Sequence, residues 1–105
     1  MNLSTHVLDT SVGEPVAGLP VSLHRLDGRG WTALAAGVTD SDGRWEHLVD
    51  WYAGRHRLTF DISAHRGAGT FFPCVAVEFD VTGADRRTHI PLLISEFGYT
   101  TYRGC

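Results

Sequence analysis

Apolar side chains in this sequence recur at every second position, in short runs. Val75, Val77, Phe79 and Val81 alternate with Ala76, Glu78, Asp80 and Thr82, and Leu58, Phe60 and Ile62 alternate with Arg57, Thr59 and Asp61. A period of two puts one set on each face of an extended strand, which is the pattern of a half-buried strand. Turn chemistry interrupts the runs at Gly13-Glu14-Pro15, Asp27-Gly28-Arg29-Gly30, Ser41-Asp42-Gly43, Tyr52-Ala53-Gly54, Gly67-Ala68-Gly69, Thr82-Gly83-Ala84-Asp85 and Glu96-Phe97-Gly98. Such glycine-containing stretches supply the positive φ of tight turns. Strands are expected near 3–9, 19–26, 31–37, 43–48, 54–62, 74–81, 87–94 and 98–103. Short strands joined this way make an all-β sandwich or barrel. A single helical turn is expected around Ser63–Gly67, weakened by its glycines.

Length and charge bound the function. The 105 residues suit a single domain, 1–105, large enough to bury a core without a covalent staple. Net charge is −3, with no basic block, which argues against nucleic acid as a partner. All nine cationic residues are arginine. No apolar run approaches the roughly 18 residues of a membrane helix, and no secretory leader is evident, so a soluble cytoplasmic protein is expected. Two cysteines do not make a disulfide scaffold. The closing run is expected to be docked, because undocked termini are usually disordered.

Several polar residues stand in stretches that should be apolar. His6 lies in the first strand, on one face with Ser4 and Leu8. His89 shares its face with Leu93, while Ile90, Leu92 and Ile94 point the other way. Arg44 follows the Asp42-Gly43 turn. Tyr102 and Arg103 sit in a β-prone last strand with little else to blunt its edge, so that strand or a neighbour is expected to pair with another subunit. His24, His47, His56 and His65 are expected at the surface, with spacings that fit no ordinary zinc motif, so no metal is expected. Cys74 is expected to be a small apolar filler. Cys105 carries both a thiol and a terminal carboxylate and is expected to occupy a small polar slot. There is no nucleophile elbow, phosphate loop or dinucleotide fingerprint.

Together these segments resemble the transthyretin-like family, and within it the 5-hydroxyisourate hydrolases of urate catabolism. The resemblance rests on Ser4-Thr5-His6-Val7-Leu8-Asp9 with Gly13-Glu14-Pro15-Val16-Ala17-Gly18, on Thr39-Asp40-Ser41-Asp42-Gly43-Arg44, on Phe71-Phe72-Pro73, and on His89-Ile90-Pro91-Leu92-Leu93-Ile94-Ser95 followed by Gly98-Tyr99-Thr100-Thr101-Tyr102-Arg103-Gly104. It covers nearly the whole chain. It implies a sandwich of two four-stranded sheets with at most one short helix, assembled as a homotetramer with its sites between dimers. It also implies a small-molecule, urate-derived substrate and no cofactor, with His6, Arg44 and His89 catalytic and Tyr102, Arg103, Gly104 and Cys105 binding substrate. The hydrolases keep Tyr-Arg-Gly near the end, whereas the hormone carriers have lost it.

The implied chemistry suits these residues. Opening a cyclic amide with water calls for a general base, and a neutral imidazole serves. The oxyanion calls for fixed donors, which arginine supplies. Either His6 or His89 is expected to be the base, with the other as its orienter or proton donor, and Arg44 and Arg103 hold substrate and oxyanion. The chain departs from the family pattern at Cys74, Glu96 and Cys105, in a short 61–71 segment, and in the bulk of Trp45 beside Arg44. Other readings are a hydrolase of another cyclic amide, with or without Cys105 as nucleophile, and a non-catalytic binding protein on the same sandwich.

Overall fold

The computed structural model describes residues 2–49, 53–83 and 86–105. Tyr52 and the Ala84-Asp85 pair, in two of the expected turns, lie outside them. The strands are β1 (Asn2–Asp9), β2 (Glu14–Pro15), β3 (Pro20–Asp27), β4 (Gly30–Val38), β5 (Arg44–Leu48), β6 (Gly54–Asp61), β7 (Cys74–Val81), β8 (Arg87–Ile94) and β9 (Tyr99–Thr101), and the one helix is α1 (Ser63–Arg66). Two sheets face one another. One runs β4-β3-β6-β7. The other runs β2-β1-β8-β9, with β5 paired to the same edge of β1 as β2. The expected pair of four-stranded sheets is therefore present, with the two-residue β2 added to one of them.

The period-two pattern explains the packing. In β1, Leu3, Thr5, Val7 and Asp9 are buried, while Asn2, Ser4, His6 and Leu8 face outward. In β8, Thr88, Ile90, Leu92 and Ile94 are buried, while Arg87 is exposed and His89 half-buried. The inward residues of this sheet meet Leu23, Leu58, Phe60 and Val75 of the other sheet in one core. Each fully buried Leu or Phe stabilises the fold by roughly 1.5–3 kcal/mol relative to its exposure. Thr5 is tolerated inside because its Oγ1 donates to the Ile90 carbonyl at 2.6 Å.

β1 and β8 run parallel, from Asn2↔Arg87 to Asp9↔Ile94, whereas the other strand pairs are antiparallel. This pairing sets the first strand beside the next-to-last one.

Two expectations are corrected. His56 is 1 % exposed, not a surface residue. It shares parity with Leu58 and Phe60, so the pleat carries it inward, and its Nδ1 bonds the Gly54 carbonyl at 3.1 Å. Cys74 is exposed at the start of β7 rather than filling the core. Trp45 is half-buried against the core on the opposite face from Arg44, so its bulk points away from the arginine. Gly37 makes room for it: a Cβ there would lie 2.5 Å from the indole Nε1.

Candidate active site

On the outer face of the first sheet, three adjacent strands form a small lattice of polar side chains. β1 is its middle column. His6 pairs with Arg44 of β5, and Ser4 pairs with Glu46 of β5 on one side and His89 of β8 on the other. Asn2 pairs with Arg87. Alternation sends all these side chains outward. All of them but His6 border a polar depression of about 270 Å³, which Cys105 also lines.

The turn before β5 aims Arg44. Asp40 accepts backbone N–H groups from Asp42 and Arg44 through Oδ1, both at 2.9 Å. These bonds, that from the Arg44 amide foremost, together with the Arg44 and His6 charges hold the Asp40 carboxyl below its ordinary range, against some desolvation. Gly43 has φ +77°, and a Cβ on it would sit 2.6 Å from the Val7 carbonyl oxygen. Only glycine lets this turn close on β1, where Val7 N–H donates to the Gly43 carbonyl at 2.8 Å.

The two histidines are held differently. His6 donates from Nε2 to the Asp42 carbonyl at 2.8 Å. A carbonyl only accepts, so Nε2 carries the hydrogen and the ring is tied to the Asp40–Gly43 turn. His89 bonds the Ser4 hydroxyl through Nδ1 at 2.8 Å. Its Nε2 has no hydrogen bond among the described residues. Burial first, then the Arg44 and His6 charges, push the His89 imidazole below its ordinary value of 6.5, against opposing contributions from Ser4 and Glu46. His89 is therefore neutral at physiological pH. Arg44 forms no side-chain hydrogen bond or ion pair with a described residue.

The last strand completes the wall. Gly104 N–H donates to the His89 carbonyl at 2.7 Å, which extends the β8–β9 ladder beyond Thr101. A Cβ on Gly104 would lie 2.5 Å from His89 Cδ2, so glycine is what allows the backbone to lie flat against the imidazole. Cys105 follows into the depression. Tyr102 and Arg103 lie elsewhere in the single chain, lining a mainly apolar groove of about 220 Å³ with Val77, Phe79 and Ile90. Of the residues expected at a site, the structure thus gathers Arg44, His89, Gly104 and Cys105. It ties His6 to the neighbouring turn and sets Tyr102 and Arg103 apart.

Sequence reasoning missed Ser4, Glu46 and Arg87 as pocket residues. Their signal is parity, since each stands two residues from a singled-out one: Ser4 from His6, Glu46 from Arg44, Arg87 from His89. Among the described residues no group of three His, Cys, Asp or Glu could hold a metal ion.

A 5-hydroxyisourate hydrolase of Mesorhizobium japonicum is 42% identical over 113 aligned residues, spanning 97% of this chain and 90% of that protein. The structure of Klebsiella pneumoniae 5-hydroxyisourate hydrolase matches with a TM-score of 0.83 at 35% identity, covering 100% of both chains. Sea bream transthyretin, solved in complex with thyroxine, matches with a TM-score of 0.87 at 31% identity, covering 97% of this chain and 93% of that one. The sandwich itself is shared by an enzyme and a binding protein, so shape does not separate the two. The family model described as HIUase/Transthyretin family matches residues 3–104, and the chain belongs to that family.

Proposed function

We propose that this chain is a 5-hydroxyisourate hydrolase, opening a ring amide of its small-molecule substrate with water to give 2-oxo-4-hydroxy-4-carboxy-5-ureidoimidazoline in urate degradation. The observation that carries the reading is the pair formed by Arg44 and His89. A neutral imidazole with its Nε2 unengaged and a guanidinium without a side-chain partner, among the described residues, border one polar depression. The names of the hydrolase relatives point the same way.

In this reading His89 is the general base. Ser4 fixes its ring through Nδ1, leaving Nε2 to take a proton from water as the oxygen attacks the ring carbonyl. Arg44 faces the oxyanion that forms, where fixed donors are worth most. The imidazolium then returns its proton to the departing ring nitrogen. His6 is a positioning residue: through Asp42 it braces the turn that carries Arg44. Gly104 seats the imidazole and Cys105 lines the pocket. Tyr102 and Arg103 reach substrate in the assembled protein rather than in the lone chain.

The reading includes one 105-residue domain and a cytoplasmic, homotetrameric enzyme with no cofactor. Both cysteines are free and exposed, as suits a reducing compartment. Assembly is supported by β7 and β9, which end their sheets, and by exposed Phe71, Phe97, Tyr99 and Tyr102. Light scattering reads the subunit number directly.

The enzymatic test follows ultraviolet decay of 5-hydroxyisourate made freshly from urate with uricase. Wild-type protein should accelerate the decay well above the spontaneous rate. No acceleration by folded protein would sink the assignment, and tight retention of the ring without turnover would favour a binding protein.

A further inference from the structure

Arg87 is the cationic pocket residue that this mechanism leaves unused. It opens β8, two residues before His89 on the same outer face, and lines the same depression. In the strand lattice it pairs with Asn2, whereas Arg44 pairs with His6 on the far side of β1. Two strand spacings and four residues of offset put the two arginine backbones roughly 17 Å apart. Both side chains line the one depression between them.

The two cations are not equivalent. Arg44 has Glu46 two residues away on its own strand and face, and Asp40 in the preceding turn. Arg87 has His89 two residues on, and its lattice row holds Asn2 and Leu48, with no acid. Arg87 makes no hydrogen bond or ion pair with a described residue. Arg44, not Arg87, bears on the His89 imidazole. Arg44 therefore belongs to the reacting carbonyl, and Arg87 is a second cation of the same pocket that no described residue engages.

Hydrolysis of a cyclic amide creates a charge that the substrate carbonyl lacks. The water oxygen joins the carbonyl carbon, the carbon–nitrogen bond breaks, and a proton goes to the departing nitrogen. The new carboxylic acid, with an ordinary pKa of roughly 3.5–4, then loses its proton at neutral pH. Arg44 serves the oxyanion while the ring is closed; once the carbon–nitrogen bond breaks, the arm bearing the new carboxylate is free to turn, and we infer that Arg87 is the residue that binds it at the β8 end of the pocket. This inference rests on the hydrolase reading. It makes the site one that prefers a flat ureide bearing a carboxylate to the same ring without one.

The test uses two stable probes, orotate and uracil, which are the same planar ureide ring with and without a carboxylate. Binding to the wild-type protein, Arg87→Gln and Arg87→Lys is measured by calorimetry, and inhibition of the 5-hydroxyisourate reaction is measured in parallel. Wild type should bind orotate about tenfold more tightly than uracil, as a charge-assisted contact warrants. Arg87→Gln should lose that preference and Arg87→Lys regain part of it. In turnover, Arg87→Gln should weaken orotate inhibition, and Arg87→Lys should restore part of it.

Equal binding of the two probes by wild type overturns the inference. So does a preference for orotate that survives Arg87→Gln, or a kcat loss in that variant with probe binding unchanged. An Arg87-dependent preference in a protein that does not hydrolyse 5-hydroxyisourate would fault the hydrolase reading and leave an anion-binding ureide site standing. Turnover with no Arg87-dependent preference would fault this inference alone.

Discussion

Strand β1 serves two polar clusters, one on each face, built from nearly the same side chains. At its end, Asp9 points inward, 4 % exposed, and accepts from His65 Nε2, Arg66 Nη2 and the Ser11 amide, each at 2.9 Å. Arg66 Nη2 also donates to Ser11 Oγ at 2.7 Å. Burial alone would raise the Asp9 carboxyl, but the bonds from His65 and Ser11 and the Arg66 charge outweigh it and hold it low. Nearly every polar atom there is engaged, with Arg66 Nε left over among the described residues. Three residues earlier, the outward cluster of His6, Ser4, His89 and Arg44 is the reverse: its imidazole and guanidinium are oriented and then left open. A histidine, an arginine and an oxygen acceptor make a clamp when they satisfy one another. They make a site when the fold withholds the partner.

That contrast can be broken from either side. The largest effect is expected for His89→Ala, which removes the proposed base and should cut turnover about 10²- to 10⁴-fold, with little change in melting temperature. In the wild type, the acid limb of the rate profile should lie below the ordinary 6.5, because burial and Arg44 disfavour the imidazolium. A limb at or above that value would remove His89 from the role.

Asp9→Ala should do the opposite, costing about 3 kcal/mol of stability by leaving Arg66 and His65 without their carboxylate, while activity per folded molecule is kept. Since the folded carboxyl lies below its unfolded value of 3.8, the clamp's contribution is full above that value and fades as pH falls through the folded one. Urea titrations at pH 7 and pH 3 should show wild type and variant converging in acid.

Gly104→Ala should lower turnover by roughly 10²-fold, because the new methyl would displace the imidazole it lies against. Its melting temperature should fall far less than that of Asp9→Ala. The smallest effect is expected for Cys105→Ser, which keeps size and a polar head and should leave turnover within about threefold. Total loss in that variant would instead make the thiol the nucleophile.

Much of the sandwich was legible because side-chain parity is local information. The alternation in 74–81 matches β7 at both ends, and the helical turn expected around Ser63–Gly67 is α1. β2 was invisible because Glu14 and Pro15 are both exposed and join the sheet only by backbone pairing with Leu8 and Asp9. His56 was misread although its parity with Leu58 and Phe60 was in plain view; a polar side chain between arginines looks like surface until the pleat is counted. The pocket was legible only in part. His6, Arg44 and His89 stand out singly, but Glu46 and Arg87 resemble any solvated strand residue. Only the register that places β1 between β5 and β8 brings them together, and no local pattern encodes that register.

The parallel pairing of β1 with β8 also has a consequence for how the protein is made. Ser4 and His89 are 85 positions apart, yet each needs the other for its geometry. On a ribosome, β1 emerges first and must wait, its outward face unmatched, until β8 and the Gly104 segment are released. A nascent chain therefore carries no partial version of the pocket. The long-range closure also makes folding slower than a locally connected topology of this size would allow, so the pocket forms only once β8 and the Gly104 segment have joined β1.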